Sequence, residues 1–174
     1  PVFSVELVKQ ALMALALAAV GMVIYISWRF EFKFAISAIV ALLHDVLLVV
    51  GVFAVFQIEV NSEFIAAILT IVGYSINDTI VIFDRIRENL QQSKRRSDLG
   101  ELVNRSVQQS ISRTISTSIT TLLAIGSILL LGGVTLRPLA TAMVVGIVVG
   151  TYSSIFIASP IWYDWKLREQ TQRS

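Results

Sequence analysis

Five apolar runs, each close to or above the length needed to cross a bilayer, dominate this chain and restrict it to a small set of folds. Residues 34–56 (FAISAIVALLHDVLLVVGVFAVF) and 64–83 (FIAAILTIVGYSINDTIVIF) are two of them. Residues 11–28, 114–134 and 138–163 are the others, and these three contain no Asp, Glu, Lys or Arg. A helix needs about 20 apolar residues to span the hydrocarbon core, and in lipid a helix satisfies its own backbone. The expected fold is therefore an all-α, polytopic transmembrane helix bundle, with spans at about 8–28, 34–56, 64–84, 114–134 and 138–163. Residues 1–174 are expected to form a single transmembrane domain. The composition agrees: 55% hydrophobic and 15% charged residues, against about 25% charged in an ordinary soluble domain, and a mean hydropathy of +0.76.

Basic residues set the orientation. If the five spans alternate, one side receives Arg29, Lys33, Arg85, Arg87, Lys94, Arg95, Arg96, Arg105, Arg113, Lys166, Arg168 and Arg173. The other receives only Lys9 and Arg137. The richer side is expected to be cytoplasmic, giving an outside N-terminus and an inside C-terminus. Trp28, Trp162, Tyr163 and Trp165 are then expected at the inner membrane interface, where amphipathic aromatics prefer to sit. The chain starts at Pro1 without Met and shows no signal peptide, so it is expected to be a piece of a longer polypeptide.

The connection between the third and fourth spans is long and basic. Within it, Asp98 with Glu101 forms a helix-start signal. Leu99, Leu102, Val103, Ser106, Val107, Ser110 and Ile111 follow at helical spacing. This predicts a cytoplasmic amphipathic segment over about 98–111. Its modest apolar face favours packing on the bundle over lying along the membrane surface. In the last span Gly146, Gly150 and Ser154 repeat every four residues, a spacing that lets a neighbouring helix approach closely.

Two carboxylates interrupt the apolar runs. Asp45 lies near the centre of the second and Asp78 just past the middle of the third. Placing an ionised Asp there costs about 2.5–3.5 kcal/mol or more, so each must be paired or used. Tyr74, Asn77, Asp78 and Arg85 fall at spacings that share roughly one helix face. Burial disfavours the charged form of a carboxylate, and a group that gains and loses its proton as its surroundings change suits a proton relay. On the fourth span Arg113, Ser116, Thr117, Thr120 and Thr121 align. Arg113 is a permanent cation that an Asp can pair with, and the hydroxyls could pass hydrogen bonds toward Asp78. The plainer alternatives are interhelical hydrogen bonding for the hydroxyls and an interface anchor for Arg113. Asp45 is either a second proton site or a structural hydrogen-bond partner. Its neighbour His44 points about 100° away on a helix and is not expected to pair with it.

The rest of the sequence excludes several chemistries. With no Cys and one His, almost no material is left for a zinc site. Neither HExxH, a Gly-rich phosphate loop nor a serine motif with a base is present. An intramembrane aspartyl protease would need two facing Asp, but LHDV and INDT do not fit the expected motifs. The run Lys94–Arg96 is explained by topology rather than nucleic-acid binding. No enzyme is expected.

The stretch GYSINDTIVIFDRIREN, residues 73–89, strongly resembles the SecF family of the bacterial SecD–SecF protein-export complex. ALLHDVLLVVGVF, SRTISTSITTLL, GGVTLRPLA, GIVVGTYSSIFIASP and the opening PVFSVELVKQ look like the same family. The resemblance implies membership of the resistance–nodulation–division superfamily, whose bundles use proton movement to drive an external domain. It implies that Asp78 takes part in proton passage and that Arg113 is its partner; the reading of helix faces adds Tyr74, Asn77, Ser116, Thr117 and Thr120 as weaker lining candidates and Asp45 as a further relay candidate. It also implies a bacterial cytoplasmic (inner) membrane location, SecD as partner (separate or fused), the SecYEG channel and preprotein as further partners, and no nucleic acid. No cofactor or metal is implied, only a coupling ion, H+ or alternatively Na+. A complete member carries a first transmembrane helix and a periplasmic domain that this sequence lacks. The competing functions are a small-molecule or lipid exporter of the same superfamily and a purely structural membrane anchor.

Overall fold

A computed structural model describes residues 2–92 and 98–172. Six helices account for nearly all of them: α1 (Val2–Arg29), α2 (Phe32–Val55), α3 (Ser62–Gln92), α4 (Leu99–Leu131), α5 (Arg137–Ser153) and α6 (Ser159–Gln172). A 3-10 turn, Val134–Leu136, precedes α5, and a π-helical turn, Ser154–Ala158, joins α5 to α6. Five helical stretches are long and apolar enough to cross a membrane, α5 and α6 counting as one. No strand occurs among the described residues. The basic run Lys94–Arg96 lies outside them.

Local chemistry explains the helix ends. Asp98 caps α4 by accepting from the Gly100 amide at 3.1 Å, as the Asp98 and Glu101 pattern predicts. Asn61 does the same for α3, its Oδ1 accepting from the Phe64 amide at 3.0 Å. Gly132 closes α4: its amide donates to the Ile128 carbonyl at 2.7 Å, and a Cβ there would lie 2.3 Å from that oxygen. The π turn sits just before Pro160. A proline has no N–H for the carbonyl four residues back and its ring crowds that carbonyl, and the widened turn relieves the crowding. Ser159 Oγ donates to the Ser154 carbonyl across the turn at 3.1 Å.

α3 is the central helix, packed on α2, α4 and α5. It meets α5 through the small-residue stripe: a Cβ on Gly146 would lie 2.4 Å from Ile71 Cδ1, and one on Gly150 would lie 3.1 Å from Ser75 Cβ. The stripe therefore serves contact inside this chain. Apolar packing fills both ends of the bundle. At one end Phe34 stacks on Trp162 (centroids 4.6 Å) and tilts against Phe83 (4.7 Å). At the other, Phe53 meets Phe64 at 4.4 Å beside Ile71 and Ala142.

Two sequence expectations change here. Trp162 is 0% exposed, so it is a core residue rather than part of an interfacial belt; Trp28 and Trp165 remain on the surface. Phe34 supplies the reason, because its ring provides a flat apolar partner that lipid cannot match. The segment 98–111 is the first part of α4, which runs unbroken to Leu131. Its apolar side (Leu99, Leu102, Val103) is buried in the bundle core.

Candidate functional site

The polar side chains of α3 gather in one layer of the bundle. Ser75, Asp78 and Thr79 are buried and Tyr74 is half-buried, because spacings of three and four place them on neighbouring inward rows. They face two different helix pairs and form two networks.

The first network joins α2, α3 and α5 around Asp45, which is 0% exposed. Ser75 Oγ donates to Asp45 Oδ2 at 2.6 Å, and Ser153 Oγ donates to the same oxygen at 2.8 Å. His44 Nδ1 lies 3.1 Å from Asp45 Oδ1. That contact corrects the expectation that adjacent residues on a helix would not pair. The side chains bend toward each other over the backbone, and the tautomer with its proton on Nδ1 can donate to the carboxylate. One turn along α3, Thr79 Oγ1 lies 3.0 Å from Ser154 Oγ, at the start of the π turn.

The second network joins α3, α4 and α5. Tyr74 OH donates to Ser118 Oγ at 3.3 Å, and Ser118 Oγ lies 2.6 Å from Thr151 Oγ1. Asp78 belongs to neither network. It is 2% exposed, and its Oδ2 is buried without a hydrogen-bond partner. Thr114 Oγ1, on α4, is also buried and unpartnered. A buried polar atom left unpaired carries a desolvation penalty of about 1–3 kcal/mol, more when charged.

Arg113 and Asn77 are exposed. Both line a cleft of about 330 Å³ between α3 and α4, with Asp84, Arg85, Glu88 and Gln109 on its walls. No ion pair within 4.0 Å joins Arg113 to the Asp78 carboxyl among the described residues. Arg85 donates to Glu88 Oε2 at 2.7 Å, and Asp84 lies 3.9 Å from Arg29; the neighbours Asp84 and Arg85 do not pair with each other.

The hydroxyls of α4 divide by face. Ser116 and Thr120 are exposed and Thr117 is half-buried. Thr117 and Thr120 donate to carbonyls of their own helix. The side turned into the bundle carries Thr114 and Ser118 instead. Ser75, Ser118, Thr151 and Ser153 escaped the sequence reading, and Ser154 was singled out there only as a small residue of the packing stripe. Ser75 and Ser118 could have been found there, since Ser75 lies three residues before Asp78 and Ser118 four after Thr114. Among the described residues, no three His, Cys, Asp or Glu come together as a metal site would need.

Over residues 1–168 the sequence matches the family described as protein export membrane protein SecD/SecF, C-terminal. It is 52% identical over 158 residues to protein translocase subunit SecF of Sebaldella termitidis, covering 91% of this chain and 51% of that protein. It is 46% identical over 171 residues to protein translocase subunit SecDF of Bacillus subtilis, covering 97% of this chain and 23% of that one. A crystal structure of SecDF in the super-membrane-facing form superposes with a TM-score of 0.90 at 47% identity, covering 97% of this chain and 23% of the other. The chain thus spans about half the length of the SecF relatives it matches.

Proposed function

Because the chain belongs to the SecD/SecF C-terminal family of protein-export membrane proteins, we propose that its bundle is the membrane engine of a preprotein translocase, driven by protons that Asp78 takes up and releases with Arg113 as its fixed positive partner. The observation that carries this reading is the contrast between the two buried carboxylates. Asp45 Oδ2 is held by two hydroxyls, whereas Asp78 Oδ2 has no partner. A tied carboxylate resists change. An untied one beside a permanent cation has two states of different charge, and each prefers a different packing of α3 on α4.

In this mechanism a proton reaches Asp78 from the outer side of the membrane and neutralises it. The attraction between α3 and α4 weakens, and the helices shift. Loss of the proton through the cleft below Arg113 to the cytoplasmic side restores the carboxylate and its attraction to Arg113. The names of the relatives support a role in protein translocation. Existence of fused SecDF relatives supports SecD as the partner that completes the bundle. The SecYEG channel and the preprotein are further partners in this reading. The bacterial inner membrane is the location, with the N-terminus outside and the C-terminus inside. Asp45 serves as a tie between α2, α3 and α5 rather than as a second relay. Tyr74 and Asn77 line the approach, and Na+ is the alternative coupling ion.

The test uses the intact SecD-containing complex in inverted vesicles, with wild type compared to Asp78→Asn. Asn keeps the shape but takes up no proton. Preprotein translocation is followed with and without a proton gradient after ATP is removed. Loss of the gradient-dependent part, with assembly intact, is the expected result; its persistence rules out Asp78 as the coupling group. A matching sodium gradient in place of the proton gradient identifies the ion.

A further inference from the structure

The end of the bundle where α1 gives way to α2 holds a second polar site, away from Asp78. Arg29 and Arg87 both stand against the ring of Phe30, their guanidinium carbons 5.5 and 5.7 Å from its centroid. With Trp28, Phe34, Leu90 and Gln91 they line a cavity of about 410 Å³. Arg87 is half-buried, and its polar contact is one hydrogen bond, donated to the Arg29 carbonyl at 3.1 Å. No carboxylate among the described residues comes within 4.0 Å of Arg87. The nearest acid of Arg29 is Asp84, at 3.9 Å and half-exposed, and Asp84 does not line the cavity. Glu31 does line it, but its carboxylate is engaged by Lys166 at 3.1 Å. Two guanidiniums therefore face one cavity with most of their ten N–H donors unspent.

The surface leading to the cavity is apolar. Val20, Ile24 and Trp28 repeat every four residues along α1 and are exposed, Trp28 by 85%. An exposed Trp marks the level of lipid headgroups, and the stripe below it lies in the hydrocarbon. We propose that this cavity is a binding site for one anionic phospholipid. Its phosphodiester sits between Arg29 and Arg87, and an acyl chain follows the Trp28–Ile24–Val20 stripe. Guanidinium forks match phosphate oxygens, and basic pockets between transmembrane helices are suited to anionic headgroups. A zwitterionic lipid fits less well, because its own cation adds to two arginines that have one exposed carboxylate, Asp84 at 3.9 Å from Arg29, between them.

The test is native mass spectrometry of the intact complex, released from bilayer discs of equimolar phosphatidylglycerol and phosphatidylcholine. Wild type is expected to retain phosphatidylglycerol selectively. Each Arg→Gln change at 29 or 87 is expected to weaken that retention about fivefold, with phosphatidylcholine unaffected. Equal retention of the two lipids by wild type, or unchanged retention by the double variant, overturns the site. Should the double variant fail to assemble, Arg29→Glu decides at the more exposed position: undiminished retention overturns the site and reduced retention supports it. Displacement of the lipid by millimolar inorganic phosphate reassigns the cavity to a soluble anion and overturns the lipid.

Discussion

Asp45 and Asp78 carry the same group, lie within the same membrane layer and meet opposite surroundings. Both were visible as carboxylates in apolar runs, and the cost of burying them was enough to single them out. What could not be read was which of them is tied. That depends on whether a hydroxyl on another helix arrives within about 3 Å, and Ser153 is 108 residues from Asp45. His44 was misjudged for a smaller reason: helical angles describe where Cβ points, while an imidazole and a carboxylate reach well beyond it. If the Asp45 network is a tie, Ser153→Ala should destabilise the detergent-solubilised intact protein by about 0.6–1.7 kcal/mol, the range for interhelical hydrogen bonds in membranes. Thermal unfolding measures this. The same variant should leave gradient-driven export close to wild type, and a specific loss of coupling at unchanged stability would return Asp45 to the proton path.

At the scale of the helices, the α3–α5 contact is the tightest joint. Gly146→Ala places a methyl against all of the Ile71 side chain beyond Cβ, with atoms at 2.4, 2.5 and 2.7 Å. Turning the far end of Ile71 cannot clear it, and the helices must part. A loss of about 1–3 kcal/mol is expected, recovered in part by adding Ile71→Ala. Gly51→Ala in α2 meets no atom within 4 Å and should be neutral or gain up to about 1 kcal/mol of helix propensity. Equal effects at the two glycines would refute close packing as the cause. The stripe itself was legible from its four-residue spacing, but its partner was not. The continuity of α4 was legible in principle, since no Gly or Pro stands between Glu101 and Ile125 to break it. The change from polar to apolar near Arg113 suggested two segments because composition marks the membrane boundary, and a backbone can cross that boundary without turning.

For the molecule as a whole, segment length and composition were sufficient to foresee an all-helical bundle with five membrane-long stretches. Orientation rests on the distribution of Lys and Arg and makes its own prediction. A cysteine replacing Glu59, in the α2–α3 connection, should react with a membrane-impermeant maleimide from outside the cell. One replacing Gln172, at the end of α6, should react only after the inner face is opened. The reverse pattern would invert the molecule.

The lengths of α3 and α4, 31 and 33 residues, correspond to about 47 and 50 Å of helix, against a hydrocarbon core of about 30 Å. Their apolar parts end near Phe83 and begin near Thr114, so both overrun the core at the same end. There Asn89 Nδ2 donates to Ser106 Oγ at 2.8 Å and to Gln109 Oε1 at 3.0 Å, fastening the two rods together in water. Asp78 and Arg113 lie partway along them. A rod that pivots near its middle moves farthest at its tip, so a small change of tilt inside the bilayer is magnified at the free end. Under the proposed mechanism the pair is in effect a pointer: a change of charge on the carboxylate in the dark of the membrane could be read, or grasped, from outside it.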